Sequence, residues 1–234
     1  MASSSIQHEP LSVTQIEDLI NERARFKQRS HDTHMETHQP QLTAAGELSE
    51  QVDIVLLGDS MFERFKNTGR FTQLGLLSYP RLFNAGVGGD KIENVLYRIK
   101  LGLLTMLKEK NPKLVVVHIG TNSLQSRKPL HGLQINNYDL LLQALFVLLP
   151  VQTKILVTGL FTRKDVEEKY VSQSNQAIKQ LVDTIRLQDN GRIHWLEPPE
   201  EVKLYHLVDN VHLTEEGYEL WDEKLYSKIQ DLLK

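Results

Sequence analysis

From Val52 onward the chain alternates short apolar runs with longer stretches whose apolar residues recur every three or four positions. The short runs are Val52–Leu57, Arg81–Asn84, Leu114–Ile119, Lys154–Thr158 and Arg192–Leu196. Each has the length and pattern of a buried strand. Leu114–Ile119 is the richest in β-branched side chains, which suit a pleated surface. Between the runs lie helical stripes. Ile92, Val95, Leu96, Ile99 and Leu103 mark one; Ile178, Leu181, Val182 and Ile185 mark another; Tyr218, Trp221, Leu225, Ile229 and Leu232 mark the last. Leu140–Leu149 is apolar nearly all round, which predicts a deeply buried helix. Five strands alternating with helices imply right-handed crossovers and a mostly parallel sheet covered on both faces.

The first fifty residues follow a different pattern. Met1–Pro10 is polar and reads as loose chain. Thr14-Gln-Ile-Glu17 has the spacing of a capping box, and Ile16, Leu19 and Ile20 then share one face, predicting a helix to about Phe26. Lys27–Ser49 is mostly polar, contains His31, His34 and His38, and reads as a connector or a weak helical extension. The division expected is an N-terminal arm with one helix over residues 1–50 and an α/β domain over residues 51–234.

Composition narrows the chemistry. The 234 residues are 40% hydrophobic and 24% charged, an ordinary globular balance. No cysteine is present, which excludes disulfides, thiol nucleophiles and cysteine-held metal centres. A net charge of −3 gives no strong attraction to nucleic acid. Met1–Ser5 lacks the start of a secretory signal, and Leu140–Val151, interrupted by Gln143 and Pro150, is too short to span a bilayer. These features predict a cytoplasmic protein with no nucleic-acid partner and no stable membrane insertion. A metal role for His31, His34 and His38 is conceivable from spacing alone, but the polar stretch is a weak helix, and no metal or organic cofactor is expected.

Ligands of a parallel sheet bind beyond the carboxyl ends of its strands, so the residues just after each run carry the chemical interest. Gly58-Asp59-Ser60 follows the first: a serine at a helix start, which could equally be a plain cap. Asn84-Ala-Gly-Val-Gly-Gly-Asp90 follows the second. Its three glycines in four positions let backbone approach a ligand, and Asp90 could cap the next helix. The loop lacks the spacing of a dinucleotide fingerprint and the lysine of a P-loop. Gly120-Thr121-Asn122-Ser123 follows the third and offers an amide N–H donor. Asp209-Asn-Val-His212 precedes a helix that Thr214 can cap, and the spacing lets the carboxylate orient the imidazole. Serine, histidine, carboxylate and N–H donors on one sheet edge are the parts needed for acyl transfer.

In their order and spacing these four blocks resemble those of the SGNH hydrolases, also called the GDSL esterase/lipase family. Met61 stands where the first block usually has leucine, and Ser123 where the third usually continues with Asn or Asp. Asn84–Ile99 and Val115–Ser123 further resemble the catalytic subunits of intracellular platelet-activating-factor acetylhydrolases. The resemblance covers Val52 to the C-terminus. It implies a flavodoxin-like three-layer α/β/α sandwich around a central five-stranded parallel sheet. It implies Ser60 as nucleophile, His212 as general base and acid, and Asp209 as its orienting carboxylate. The oxyanion donors would be the backbone N–H groups of Ser60 and Gly89 and the side chain of Asn122. The activity implied is hydrolysis of short-chain, acetyl-type carboxylic esters of a small molecule or lipid, by a chain that could form a homodimer. The alternatives are a carbohydrate or other small-molecule deacetylase and, outside enzymes, a binding or scaffold protein with a vestigial site.

Overall fold

The computed structural model describes residues 11–75, 81–187 and 191–234, so the segment Met1–Pro10, read above as loose, lies outside the described residues. Five strands form one sheet: β1 (Ile54–Gly58), β2 (Leu82–Gly86), β3 (Leu114–His118), β4 (Lys154–Thr158) and β5 (Ile193–Leu196). All pairings are parallel, in the order β2-β1-β3-β4-β5. The chain leaves β1 toward one edge to make β2, then crosses back to place β3 on the other flank of β1. That reversal opens a crevice at the carboxyl ends of β1 and β3.

Alternation along each strand sorts the core into two layers. Val55, Leu57, Val115, Val117, Ile155 and Val157 face one side. There they pack under α1 (Val13–Arg23), α3 (Ile92–Lys100), α4 (Leu103–Glu109), α5 (Leu133–Leu148) and α6 (Glu168–Arg186). Ile54, Leu56, Leu114, Val116 and Leu156 face the other, under α2 (Ser60–Glu63) and α7 (Glu215–Leu233). Strands covered on both faces can be apolar throughout, which is why they read as continuous runs. The result is the three-layer α/β/α sandwich expected from sequence.

Three local readings need correction. The first helix is capped by Ser12, not Thr14: Ser12 Oγ accepts the Gln15 N–H and Gln15 Oε1 accepts the Ser12 N–H. The stripe ending in Leu103 is two helices, because Gly102 turns the chain at φ 97° and Leu103 opens α4. Asp90 does not cap α3. Lys91 is the cap residue, its N–H bonded to Asn94 Oδ1, and the Asp90 carboxylate is engaged elsewhere.

The stretch Lys27–Ser49 is built of short helical pieces. Pro40 has no N–H to return to the carbonyl of Glu36. The turn just before it widens into π-helix over His34–His38, where the Gln39 N–H reaches the His34 carbonyl. Ser30, His34, His38 and Leu42 are all buried, and Ile16, Ile20 and Leu42 join the core on the α3 side of the sheet. Burial is the main cause holding His34 down to about 4 and His38 down to about 2, with the Arg98 charge adding to it. His38 sits edge-on to Phe83, with ring centroids 5.4 Å apart, and His31 Nδ1 lies 3.1 Å from the Tyr97 hydroxyl. Among the described residues no three His, Cys, Asp or Glu side chains form a metal-holding group. No helix among them is long and apolar enough to cross a membrane.

Candidate active site

Ser60 is placed by the end of β1. Gly58 runs so close to β3 that a Cβ there would lie 2.0 Å from the His118 carbonyl oxygen. The chain then turns, and the Asp59 side chain caps α2 by accepting the Met61 N–H at 2.9 Å. Ser60 is therefore the first helical residue and not the cap, with its side chain at the crevice and 6% exposed. Asp59 is fully buried beneath it. Burial above all raises the Asp59 carboxyl to about 7, with Asp90 adding to the rise and the Met61 N–H, Arg163 and Lys27 opposing it.

His212 arrives from the opposite side on a closed turn. Leu207 pairs with Leu213, and the Val208 N–H bonds the His212 carbonyl at 2.9 Å. Lys164 braces the turn from outside, its N–H on the Asn210 carbonyl and its Nζ on the Leu207 carbonyl. His212 Nε2 lies 2.9 Å from Ser60 Oγ and His212 Nδ1 lies 2.7 Å from Asp209 Oδ2. Asp209 Oδ1 also accepts the backbone N–H groups of Val211 and His212, each at 2.8 Å. Partial burial would raise the Asp209 carboxyl, but the His212 N–H, the His212 ring and the Val211 N–H together hold it well below the usual carboxylate range. An ionised Asp209 fixes the proton on Nδ1 and leaves Nε2 to accept one from Ser60.

The turn is docked by the helix that follows it. Thr214 caps α7 by accepting the Gly217 N–H. One turn on, the Tyr218 hydroxyl donates to the Met61 carbonyl at 2.8 Å, and Trp221 stacks on Phe62 with centroids 5.4 Å apart. The helix entered from the histidine thus grips the helix that begins with the serine.

The candidate N–H donors follow the ends of β1, β2 and β3. Gly89 sits at φ 73°, a left-handed conformation that favours glycine. Among the described residues no acceptor takes the N–H of Ser60 or of Gly89. Asn122 lies in the 3-10 turn Thr121–Ser123 and uses one amide N–H on the Asp90 carbonyl at 2.9 Å, leaving the second to point elsewhere. Ser60, Gly89, Asn122, Asp209 and His212 are therefore found at the carboxyl edge of the sheet, with His212 in contact with both Ser60 and Asp209.

Several supporting residues escaped sequence reasoning. Arg98, fully buried on α3, pairs with Asp90 at 3.1 Å and donates to the carbonyls of Ala85 and Gly58, tying the ends of β1 and β2 to the glycine loop. Arg163 donates to the Thr121 carbonyl at 2.6 Å while Asp165 grips its guanidinium, which steadies the turn carrying Asn122. Lys27 and Ser30 reach the glycine loop from the arm. A cavity of about 1010 Å³ flanks the histidine turn, lined by Phe161, Lys164, Val202 and Tyr205 among others, but not by Ser60 or His212.

Comparison with known proteins identifies the family. Residues 56–220 match the model of the GDSL-like lipase/acylhydrolase family. The chain is 28% identical over 198 residues to human platelet-activating factor acetylhydrolase IB subunit alpha2, covering 79% of each. It is 25% identical over 194 residues to the human alpha1 subunit, covering 79% of this chain and 78% of that one. Among solved structures, a GDSL-like lipase from Bacteroides thetaiotaomicron shares the fold at TM-score 0.59 and 16% identity, over 85% of this chain and 97% of that one. An acetyl xylan esterase does so at TM-score 0.54 and 20% identity, over 76% of this chain and all of that one. The chain belongs to the GDSL-like lipase/acylhydrolase family, and by that membership it is a carboxylic ester hydrolase.

Proposed function

We propose that the protein hydrolyses short-chain esters, acetyl esters first among them, through a covalent acyl-enzyme on Ser60. The observation that carries this reading is the unbroken relay from Ser60 Oγ to His212 Nε2 at 2.9 Å and from His212 Nδ1 to Asp209 at 2.7 Å. His212 takes the Ser60 proton as Oγ attacks the ester carbonyl. The negative charge on the tetrahedral oxygen is met by the N–H groups of Ser60 and Gly89 and by the Asn122 amide. His212 returns the proton to the departing alcohol. It then activates a water molecule that attacks the acyl group and frees Ser60. The acetyl preference rests on the acetylhydrolase relatives, and the alcohol could belong to a lipid or to an acetylated sugar. An unpaired serine or a displaced histidine would favour a binding protein with a lapsed site; neither is present.

The test is Ser60→Ala in the full chain against p-nitrophenyl acetate, butyrate and octanoate. Turnover is expected to fall about 10⁴-fold or more with secondary structure unchanged, and the wild type should favour acetate. The wild-type protein should also take up one fluorophosphonate label, lost in the variant. Unchanged turnover in Ser60→Ala would remove the nucleophile assignment, and preference for octanoate would remove the acetyl reading.

A further inference from the structure

The N-terminal arm reaches the loop that supplies the Gly89 donor, and it does so at one peptide unit. Lys27 Nζ donates to the Gly88 carbonyl at 2.7 Å. That carbonyl and the Gly89 N–H belong to the same planar trans peptide, so fixing one direction fixes the other, opposite. The bond is charge-assisted, and a cation on a carbonyl polarises the whole unit and strengthens its N–H as a donor. Lys27 also sits against Gly89 itself: a Cβ at Gly89 would lie 2.9 Å from Nζ.

Lys27 is in turn held on both sides. Its Nζ lies 3.3 Å from Asp90 Oδ1, and the same oxygen accepts a short hydrogen bond from Ser30 Oγ. The other Asp90 oxygen is held by Arg98. The backbone just before Lys27 is pinned to the start of α3, with the Arg25 N–H on the Glu93 carbonyl at 3.0 Å and Asn94 Nδ2 on the Arg25 carbonyl at 2.9 Å. The Lys27 side chain is 29% exposed, so solvent screens the charge only in part.

We propose that Lys27 is a positioning residue that orients and polarises the Gly88–Gly89 peptide for its role as oxyanion donor, so that the arm completes the catalytic site. This inference rests on the acyl-transfer reading above. Lys27 touches no reacting atom; it acts through the peptide that does.

The experiment compares Lys27→Met, Lys27→Arg and Ser30→Ala in the full-length chain with p-nitrophenyl acetate. Losing one oxyanion donor outright costs about 10²–10³ in rate, and a weakened donor less. Lys27→Met should therefore lower kcat by about tenfold to a hundredfold with KM unchanged. Fluorophosphonate labelling of Ser60 should slow in step, since the phosphonyl oxygen meets the same donors. Lys27→Arg, which keeps a charged donor, should recover most of the loss. A purely structural role would lower the unfolding temperature without this split between kcat and KM. Wild-type kcat in Lys27→Met, or a loss carried by KM, overturns the proposal. If Lys27→Met does not fold, Ser30→Ala decides: lowered kcat at constant KM supports it and wild-type kcat overturns it. Should Ser60→Ala keep full turnover, the acyl-transfer reading itself falls. Should Ser60→Ala be inactive while Lys27→Met is unaffected, only the role of Lys27 falls.

Discussion

The two walls of the crevice are built on opposite principles. The histidine wall is local: Asp209, Val211 and His212 bond one another within four residues, and Asp209 remains 48% exposed. The glycine-loop wall is buried and long-range. Asp90 and Arg98 are wholly enclosed, and the Asp90 partners Lys27 and Ser30 lie some sixty residues away in sequence. The difference follows from what each wall does. In the mechanism proposed above, His212 gains and loses a proton in every cycle and needs water nearby, whereas the donors must stay fixed while charge appears between them. A short turn closed by its own bonds serves the first purpose. A desolvated ion cluster, rigid because its charges cannot be left unpaired, serves the second.

The contrast predicts that equal-sized changes in the two walls fail in different ways. Asp209→Asn should lower kcat by about 10³–10⁴-fold, because the amide can no longer hold the His212 proton on Nδ1. Its unfolding temperature should fall less than that of a change in the buried wall, since Asp209 is 48% exposed and an asparagine oxygen can still accept the Val211 and His212 N–H groups. Steady-state kinetics beside calorimetry reads both. A variant with full turnover would reduce the triad to a Ser60–His212 pair, and one with a large loss of stability would erase the distinction between the walls.

Arg98→Met should do the reverse first. It removes the guanidinium from the wholly buried Asp90 carboxylate, leaving only Lys27 and Ser30 on its other oxygen, and takes one donor from each of the carbonyls of Ala85 and Gly58. Breaking a buried pair by removing one partner costs about 3–5 kcal/mol, so the denaturant midpoint should fall steeply. The activity that remains per folded molecule is a secondary loss. An Arg98→Met protein as stable as wild type would mean that the cluster contributes orientation without stability.

The same contrast decides what could be read from the chain. The strands were legible because both faces of the sheet are covered, so Val115–Val117 or Ile155–Val157 appear as uninterrupted apolar runs. Ser60, Asn122 and the Asp209–His212 pair were legible because each follows a strand or keeps a local spacing. Asp90 misled for the same reason: its place before a helix suits a cap, while its true partner, Arg98, lies two turns further along α3. The N-terminal stretch hid its role because its buried anchors include Ser30, His34 and His38, polar types that a hydrophobic pattern scores as surface. The capping box slipped by two residues because Ser12 and Thr14 both stand three before an amide or carboxylate side chain, a spacing that the pattern alone does not tell apart.

The smallest expected effect tests where the two walls meet, at Asp59. Its Oδ1 holds the Met61 N–H beside Ser60, and its Oδ2 is buried without a hydrogen-bond partner among the described residues. Burial raises this carboxyl from 3.8 to about 7, helped by Asp90 and opposed by the Met61 N–H, Arg163 and Lys27. Between those two values the folded protein keeps a proton that the unfolded chain releases. Stability must then fall as pH rises from about 4 to about 7, the opposite of a carboxylate held by a salt bridge. Asp59→Asn keeps an oxygen for the Met61 N–H and carries no charge at any pH. It should match the wild type near pH 4 and exceed it by about 1–3 kcal/mol at pH 8, with Ser60 turnover changed by less than about tenfold. Urea unfolding of both proteins across that range reads the slope directly. Parallel curves would show that Asp59 is ionised in the fold, and the raised value would then have to be abandoned.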